Sequence, residues 1–188
     1  MFIYTKISIL ITVLSTIFTG YWIDQSTFYF PVEISRTATG PIGQIIFPFG
    51  ALCSFIIGIT ELSVNITDLY PFLGFLILTI IDDKKSRIIH MIGVLLMIVG
   101  VGVKAFRTKQ TTIAFGLIMS IYFLRIIMKG VVLSHHGTNI FNVSKHIMYT
   151  GETETQTQLL IFKLCGVLQW VALYGLIELH TIEKNKIN

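Results

Sequence analysis

Charge is scarce in this chain. Only 13% of its 188 residues are aspartate, glutamate, lysine or arginine, whereas a soluble globular protein carries about 25%. Hydrophobic residues make up 53% of the sequence, and the mean hydropathy is +0.77. This shortage of charge argues against an ordinary soluble domain and predicts that lipid surrounds most of the chain.

Cysteine is also rare, with two residues in the whole sequence. Cys53 and Cys165 both lie within apolar segments, which favours free cysteines that pack in the interior over a disulfide or a metal pair. Three motifs of soluble active sites are missing as well, namely a nucleophile elbow, a phosphate-binding loop and a dinucleotide fingerprint. We therefore expect no cofactor and no bound metal, and we assign no catalytic residue.

The small excess of positive charge does not indicate nucleic-acid binding. The net charge is +4, but the basic residues lie in short runs between apolar segments. Such runs suit lipid headgroups at the two membrane surfaces. They lack the interleaved aromatic residues on which single strands stack. We therefore expect membrane lipids as partners and no nucleic acid.

Six apolar runs make up most of the sequence. Since a membrane crossing needs about 20 residues, and lipid offers no partner to unpaired backbone groups, these runs predict an all-α fold. We expect one domain, residues 1–188, with six transmembrane helices. The third run is short, and glycines in the fourth predict close helix packing. The runs cover about 7–23, 45–60, 69–81, 88–103, 111–128 and 159–179.

The longest polar interruption in the first third of the chain is Pro31–Phe47, which we call the connector. It contains Glu33 and Arg36, which could pair on one helical turn, and the hydroxyls of Ser35 and Thr37. An arginine beside hydroxyl groups binds phosphate well because its planar fork donates two parallel hydrogen bonds. The connector is therefore predicted to be a structured loop that contacts lipid headgroups. The alternative is a structural lock, in which the charge pair satisfies itself.

Part of the connector resembles the first-loop signature of the DRAM/Sfk family of six-span membrane proteins. That signature is a proline, then Ile-Ser-Asp-Thr-Gly, then one or two prolines before the second helix. This chain departs from it at Arg36, where the family has aspartate, and at Ala38, where it has glycine. One extra residue also separates Pro31 from Ile34. The matching motif is Pro31-x-x-Ile34-Ser35-x-Thr37, followed by Pro41 and by Phe47 in the next span.

A second similarity to this family lies at the start of the fourth run, where Ile89-His90-x-x-Gly93 stands in place of a His-x-x-Gly-Ala motif. The family groups damage-regulated autophagy modulators, the FGF-receptor-activating-protein group and the N-terminal part of a yeast protein of GPI-lipid remodelling. The resemblance implies a non-catalytic protein of an endomembrane or the plasma membrane. Its expected role is in lipid organisation, autophagy or membrane trafficking.

His90 completes the candidate site. One interpretation makes it a ligand-binding or proton-responsive group that faces the bundle. The other makes it an interfacial histidine that is hydrogen-bonded to a loop carbonyl. The candidate residues for a lipid headgroup are Glu33, Ser35, Arg36, Thr37 and His90.

Four further charged residues lie inside or near the apolar runs. Because a charge in lipid is costly, each of these residues either has a function or extends its charged group to the membrane–water interface. We predict the second for all four. They are Glu61, Arg125, Lys163 and Glu178.

Two other functions stay open. An intramembrane lipid hydrolase or transferase would need a histidine, either His90 or one of the adjacent His135 and His136, to converge with a carboxylate of Glu33 or of residues 82–83. A small transporter would need buried ionisable groups that face a cavity near the middle of the membrane. The histidines show no spacing typical of a metal site.

Overall fold

The protein is described by a computed structural model over residues 3–24, 34–38, 40–61, 65–81, 86–108, 112–135 and 156–181. Within these ranges all regular secondary structure is helical, so the predicted all-α fold is confirmed. The first helix continues through a π-helical turn, Thr19–Ile23, and a 3₁₀ turn, Ile66–Leu69, precedes the fourth. The helices are α1 (Ile3–Phe18), α2 (Ile34–Thr37), α3 (Gly43–Thr60), α4 (Tyr70–Ile80), α5 (Arg87–Thr108), α6 (Thr112–His135) and α7 (Gln156–Thr181).

Five of the described segments are long and apolar enough to cross a membrane, which makes this a multi-pass membrane protein. The sixth apolar segment, Ile66–Ile80, is shorter. At 1.5 Å per α-helical and about 2 Å per 3₁₀ residue it extends roughly 25 Å, against a hydrocarbon core of about 30 Å. The five long segments are Ile3–Ile23, Gly43–Thr60, Ile88–Thr108, Thr112–Val132 and Gln156–Thr181.

Successive long helices run antiparallel. Thr5 of α1 bonds Glu61 just after α3, whereas Thr12 lies against Gly50 near the middle of that helix. The same reversal relates α4 to α5 and α6 to α7. The molecule therefore has two ends. The terminal end holds the start of α1 and the end of α7, and the connector end holds the other ends of these helices.

The core lies where α1, α3, α4 and α7 meet. Its buried side chains include Val13, Phe47, Phe75 and Ile177, and Ile34 of α2 joins them from the connector. A second cluster joins α5 to α7. Helix α6 packs on α5 and α7 and leaves most of its surface exposed, so it lies at the edge of the bundle.

Glycine allows the tightest contact, between α4 and α5. A Cβ atom on Gly74 would lie 2.5 Å from the carbonyl oxygen of Gly93, and one on Gly93 would lie 2.9 Å from the carbonyl oxygen of Gly74. Gly100 lies against Pro71 in the same interface. Close packing through the glycines of the fourth run is therefore confirmed.

Candidate functional site

The connector is joined to α3 through Asp24, the residue that follows the π-helical turn. Its carboxylate accepts hydrogen bonds from the backbone N–H groups of Ile42, at 3.2 Å, and Gly43, at 2.7 Å. These donors lie at the N-terminus of α3, where backbone N–H groups have no helical partner and a negative charge is favoured. Asp24 therefore caps α3 and ties the last part of the connector to the end of α1.

Helix α2 anchors the middle of the connector. The backbone N–H of Ile34 donates to the Oε1 atom of Gln169 on α7, at 3.0 Å, and the Ile34 side chain is only 5% exposed. Thr37 is fully buried, and its hydroxyl donates to the Ile34 carbonyl at 2.6 Å. One apolar and one hydroxyl side chain, three residues apart, thus fix this short helix on the bundle.

The π-helical turn receives α2. Gly20 is buried within this turn, and a Cβ atom there would lie 2.5 Å from the carbonyl oxygen of Thr37. Backbone packs directly on backbone at this point, which only a glycine permits. Turns of this type recur at functional sites. Together with Asp24 and Gln169, this contact makes the described part of the connector a structured loop, as predicted.

Four of the five predicted headgroup ligands belong to the connector. Glu33 lies outside the described residues. Ser35 and Arg36 occupy α2 between its two buried residues, and their side chains also lie outside the described part. Thr37 is described, and its hydroxyl is bonded within α2.

His90 belongs to a different part of the connector end. Its Nδ1 atom lies 3.0 Å from the carbonyl oxygen of Ile81, the residue that follows α4. This is the hydrogen bond to a loop carbonyl that the second interpretation of His90 predicted. Helix α2 packs instead on α1, the π-helical turn and α7. The described contacts therefore do not join His90 to the connector.

Glu61 organises the terminal end. Its carboxylate accepts from the backbone N–H groups of Tyr4, at 3.1 Å, and Thr5, at 2.9 Å, and also from the Thr5 hydroxyl. Partial burial alone would raise the pKa of Glu61, but these hydrogen bonds stabilise the carboxylate and bring the pKa below its ordinary value of 4.5. Glu61, which follows α3, therefore caps the N-terminus of α1. Asp24, which follows the π-helical turn after α1, caps the N-terminus of α3 in the same way.

Replacing Glu61 by glutamine is expected to lower stability by about 1 kcal/mol at neutral pH, since the charge at the cap is lost. A carboxylate with a lowered pKa stabilises the fold fully above its unfolded-state pKa. The difference between wild type and Glu61→Gln should therefore be complete above about pH 4.5 and shrink as the pH falls below it. Thermal unfolding in detergent between pH 3 and 7 measures this, and an equal difference at all pH values would contradict the cap.

Two ion pairs lie at the same end. Lys6 of α1 pairs with Glu178 of α7, and the Lys6 amino group lies 6.0 Å from the ring centre of Tyr174. Arg107 of α5 pairs with Asp68, in the 3₁₀ turn before α4. Both pairs join different helices, and both are partly exposed. Surface pairs of this kind stabilise by only about 0–1 kcal/mol, so these two add little to the stability of the bundle.

Lys104 and His180 form the buried part of the terminal end. The Lys104 side chain is 8% exposed, and its amino group donates to the backbone carbonyl of His180 in the last turn of α7. A cation is favoured there because the final carbonyl groups of a helix have no helical partner. The His180 ring is buried and meets Phe72 edge to face, with ring centres 4.8 Å apart.

The sequence interpretation missed this clustering. The sequence predicts only that Glu61 and Glu178 extend to the interface, and it does not show that Glu61 caps α1 or that Glu178 pairs with Lys6. A usable signal did exist for two caps, because Asp24 and Glu61 each follow the last residue of a predicted span. Which helix each of them caps depends on the packing, and the sequence does not show that.

Arg125 corrects another expectation. Instead of extending to the interface, its side chain is only 9% exposed, well inside α6. The guanidinium lies 5.8 Å from the ring centre of Tyr122, and the backbone carbonyl of Arg125 accepts from the Cys165 thiol of α7 at 3.7 Å. Arg125 therefore lies where α6 meets α7, with its backbone in contact with Cys165 and its guanidinium beside an aromatic ring of its own helix. Cys53 and Cys165 are both free, as predicted.

A small cavity lies between α1, α4, α5 and α7 near the terminal end. Its volume is about 30 Å³, more than the roughly 10–15 Å³ that one water needs. Apolar side chains form most of its wall, so it suits hydrocarbon better than water. Its lining includes Lys6, Phe72, Met97, Leu173, Leu176 and His180.

The described residues contain no group of three or more His, Cys, Asp or Glu side chains that could hold a metal ion. Comparison of the chain with models of protein families, with curated proteins and with solved structures found no match. The similarity of the connector and His90 to the DRAM/Sfk family therefore stays a prediction from the sequence.

Proposed function

We propose that this chain is a non-catalytic multi-pass membrane protein that contacts anionic lipid headgroups through the connector, Pro31–Phe47. The observation that supports this is the docking of α2 on the π-helical turn after α1 and on Gln169, near the middle of α7. Buried Ile34 and Thr37 and the amide of Gln169 hold the short helix that contains Ser35 and Arg36. A loop that is fixed in this way can present a binding group without first losing much conformational freedom.

The chemistry of the connector favours a phosphate ligand. Arg36 is always charged, and its fork matches two phosphate oxygens, while Ser35 offers a hydroxyl beside it. At a bilayer surface the phosphate of a lipid headgroup is the most abundant group of this kind. The resemblance to the DRAM/Sfk family supports the finer part of the proposal, a role in lipid organisation, autophagy or membrane trafficking in an endomembrane or the plasma membrane.

Replacing Arg36 by glutamine tests this proposal. A hydrogen bond to a charged group contributes about 1.5–3 kcal/mol, so we expect Arg36→Gln to weaken binding of dioctanoyl phosphatidylserine about tenfold or more. Native mass spectrometry of the detergent-purified protein, titrated with this lipid, measures the affinity. Dioctanoyl phosphatidylcholine shows how much of the binding depends on net negative charge.

Arg87→Gln is the matched control. It removes the same charge at the same end of the molecule, at the start of α5, and we expect it to leave phosphatidylserine binding unchanged. An equal melting temperature for the two variants shows that both are folded. Equal lipid binding by wild type and Arg36→Gln would overturn the proposal. If both variants lost phosphatidylserine affinity equally, the lipid would be attracted by the overall positive charge of this end, and the connector would not be a specific site.

A further inference from the structure

The two carboxylate caps limit how thick a membrane the protein can span. Glu61 bonds backbone N–H groups at the start of α1, and Asp24 bonds backbone N–H groups at the start of α3. Charged groups are costly in hydrocarbon, so both caps belong to the polar surfaces of the bilayer. Helix α3, which separates the two caps, has 18 residues and is therefore about 27 Å long.

Three other segments give the same limit or a smaller one. On α1 and its π-helical turn, Lys6 is at most about 27 Å from Asp24. On α5, the first residue, Arg87, is about 26 Å from Lys104, which donates to the last turn of α7. The short segment Ile66–Ile80 extends only about 25 Å.

The two longest helices also keep their lipid-facing part within this limit. On α7, Lys163 and Glu178 are about 23 Å apart, and the lysine stem can extend its charge further outward. The first turn of α7, which begins Gln-Thr-Gln, is polar and suits the headgroup region. On α6, the exposed large apolar residues extend from Ile113 to Val131, again about 27 Å.

All these lengths are upper limits for the hydrocarbon thickness that the protein spans, because a tilted helix crosses less. They fit the hydrocarbon core of about 27 Å in the endoplasmic reticulum better than the core of about 32–33 Å in a sterol-rich plasma membrane. In the thicker membrane, charged caps would enter hydrocarbon, or the lipid would have to thin around the whole protein. Both changes cost free energy.

We propose that this protein is built for thin bilayers, and that its apolar surface fits a hydrocarbon core of about 25–27 Å. The proposed function leaves an endomembrane and the plasma membrane open, and this fit favours a thin endomembrane. The fit depends on the spacing of the two polar ends and not on headgroup binding at the connector, so either proposal can fail without the other.

Cysteine labelling in nanodiscs tests where the hydrocarbon ends. Tyr4 and Ile42 are the residues whose backbone N–H groups the two caps hold, and Leu14 lies midway along α1. All three side chains are exposed on the protein, at 68%, 40% and 64%, so burial in the protein does not distinguish them. A thiol reacts as the thiolate, which hydrocarbon disfavours.

In nanodiscs of dioleoyl phosphatidylcholine, we therefore expect Tyr4→Cys and Ile42→Cys to react with a water-soluble maleimide at least tenfold faster than Leu14→Cys. The protein without an introduced cysteine gives the background from Cys53 and Cys165. Complete labelling of all three variants after denaturation shows that each thiol is reactive. If either end reacted as slowly as Leu14→Cys, the hydrocarbon would extend past that cap, and the proposal would be overturned.

The melting temperature in nanodiscs of different thickness tests the preference itself. We expect the unmodified protein to melt about 5 °C or more lower in dierucoyl phosphatidylcholine, which has longer chains, than in dioleoyl phosphatidylcholine. Dipetroselinoyl phosphatidylcholine has the chain length of the dioleoyl lipid with the double bond moved, and it should give the same melting temperature as that lipid. An equal or higher melting temperature in the dierucoyl lipid would overturn the proposal. Neither experiment bears on phosphatidylserine binding at the connector, because both use phosphatidylcholine alone.

Discussion

Replacing Gly74 by leucine is expected to prevent α4 and α5 from packing and to lower the melting temperature by about 10 °C or more. A Cβ atom at this position would lie 2.5 Å from the carbonyl oxygen of Gly93 and 2.7 Å from the backbone nitrogen of Met97. Backbone atoms cannot rotate away as a side chain can, so the two helices must separate. Overpacking costs about 1–3 kcal/mol even where side chains can adjust, and a protein of this size loses roughly 2–4 °C per kcal/mol.

Gly116→Leu on α6 is the control for this change. A Cβ atom on Gly116 would meet nothing within 4 Å, so the same leucine should be tolerated there. Size-exclusion chromatography of each variant after heating in detergent gives the melting temperatures. Equal values for Gly74→Leu and Gly116→Leu would show that the α4–α5 contact does not limit stability.

The helices could be predicted from the sequence because lipid imposes one simple rule. A segment within the hydrocarbon core must satisfy its own backbone hydrogen bonds, so a long apolar run is sufficient to indicate a helix. The residues at which the helices end are less well predicted. The fourth run was placed at 88–103 and the fifth at 111–128, yet α5 continues to Thr108 and α6 to His135. Hydropathy marks where lipid ends, whereas a helix can continue into the polar interface.

The contacts that build the two ends could not be predicted in the same way. Asp24, Glu61 and Lys104 each bond the backbone at the end of a neighbouring helix. In each case the sign of the charge suits that end, with anions at N-termini and a cation at a C-terminus. The sequence shows the charges and the helix ends, but their pairing depends on which helices are neighbours.

The connector was predicted as a structured loop, but the reason for its structure lies outside it. Gly20 of the π-helical turn and Gln169 of α7 receive α2, and neither residue carries a local signal for this role. The cavity was not predicted at all, because it arises where four helices meet.

Replacing Gly20 by valine is expected to displace α2 from the bundle. A Cβ atom there would lie 2.5 Å from the carbonyl oxygen and 2.7 Å from the Cα atom of Thr37. Displacement would expose the Ile34 side chain, whose burial contributes about 2 kcal/mol, and would break the hydrogen bond to Gln169, which contributes about 1 kcal/mol. We therefore expect a loss of about 3 kcal/mol, concentrated at the connector end.

Labelling of an Ile34→Cys protein with a water-soluble maleimide measures the displacement at the residue itself. Because the Ile34 side chain is almost fully buried, the cysteine should react slowly, and Gly20→Val should accelerate the reaction at least tenfold. Gly116→Val, where the added side chain meets open space, should leave the rate unchanged. Phosphatidylserine binding should weaken in Gly20→Val as it does in Arg36→Gln, because a displaced α2 no longer holds Arg36 in place. Fast labelling together with undiminished lipid binding would show that docking of the connector does not create the headgroup site.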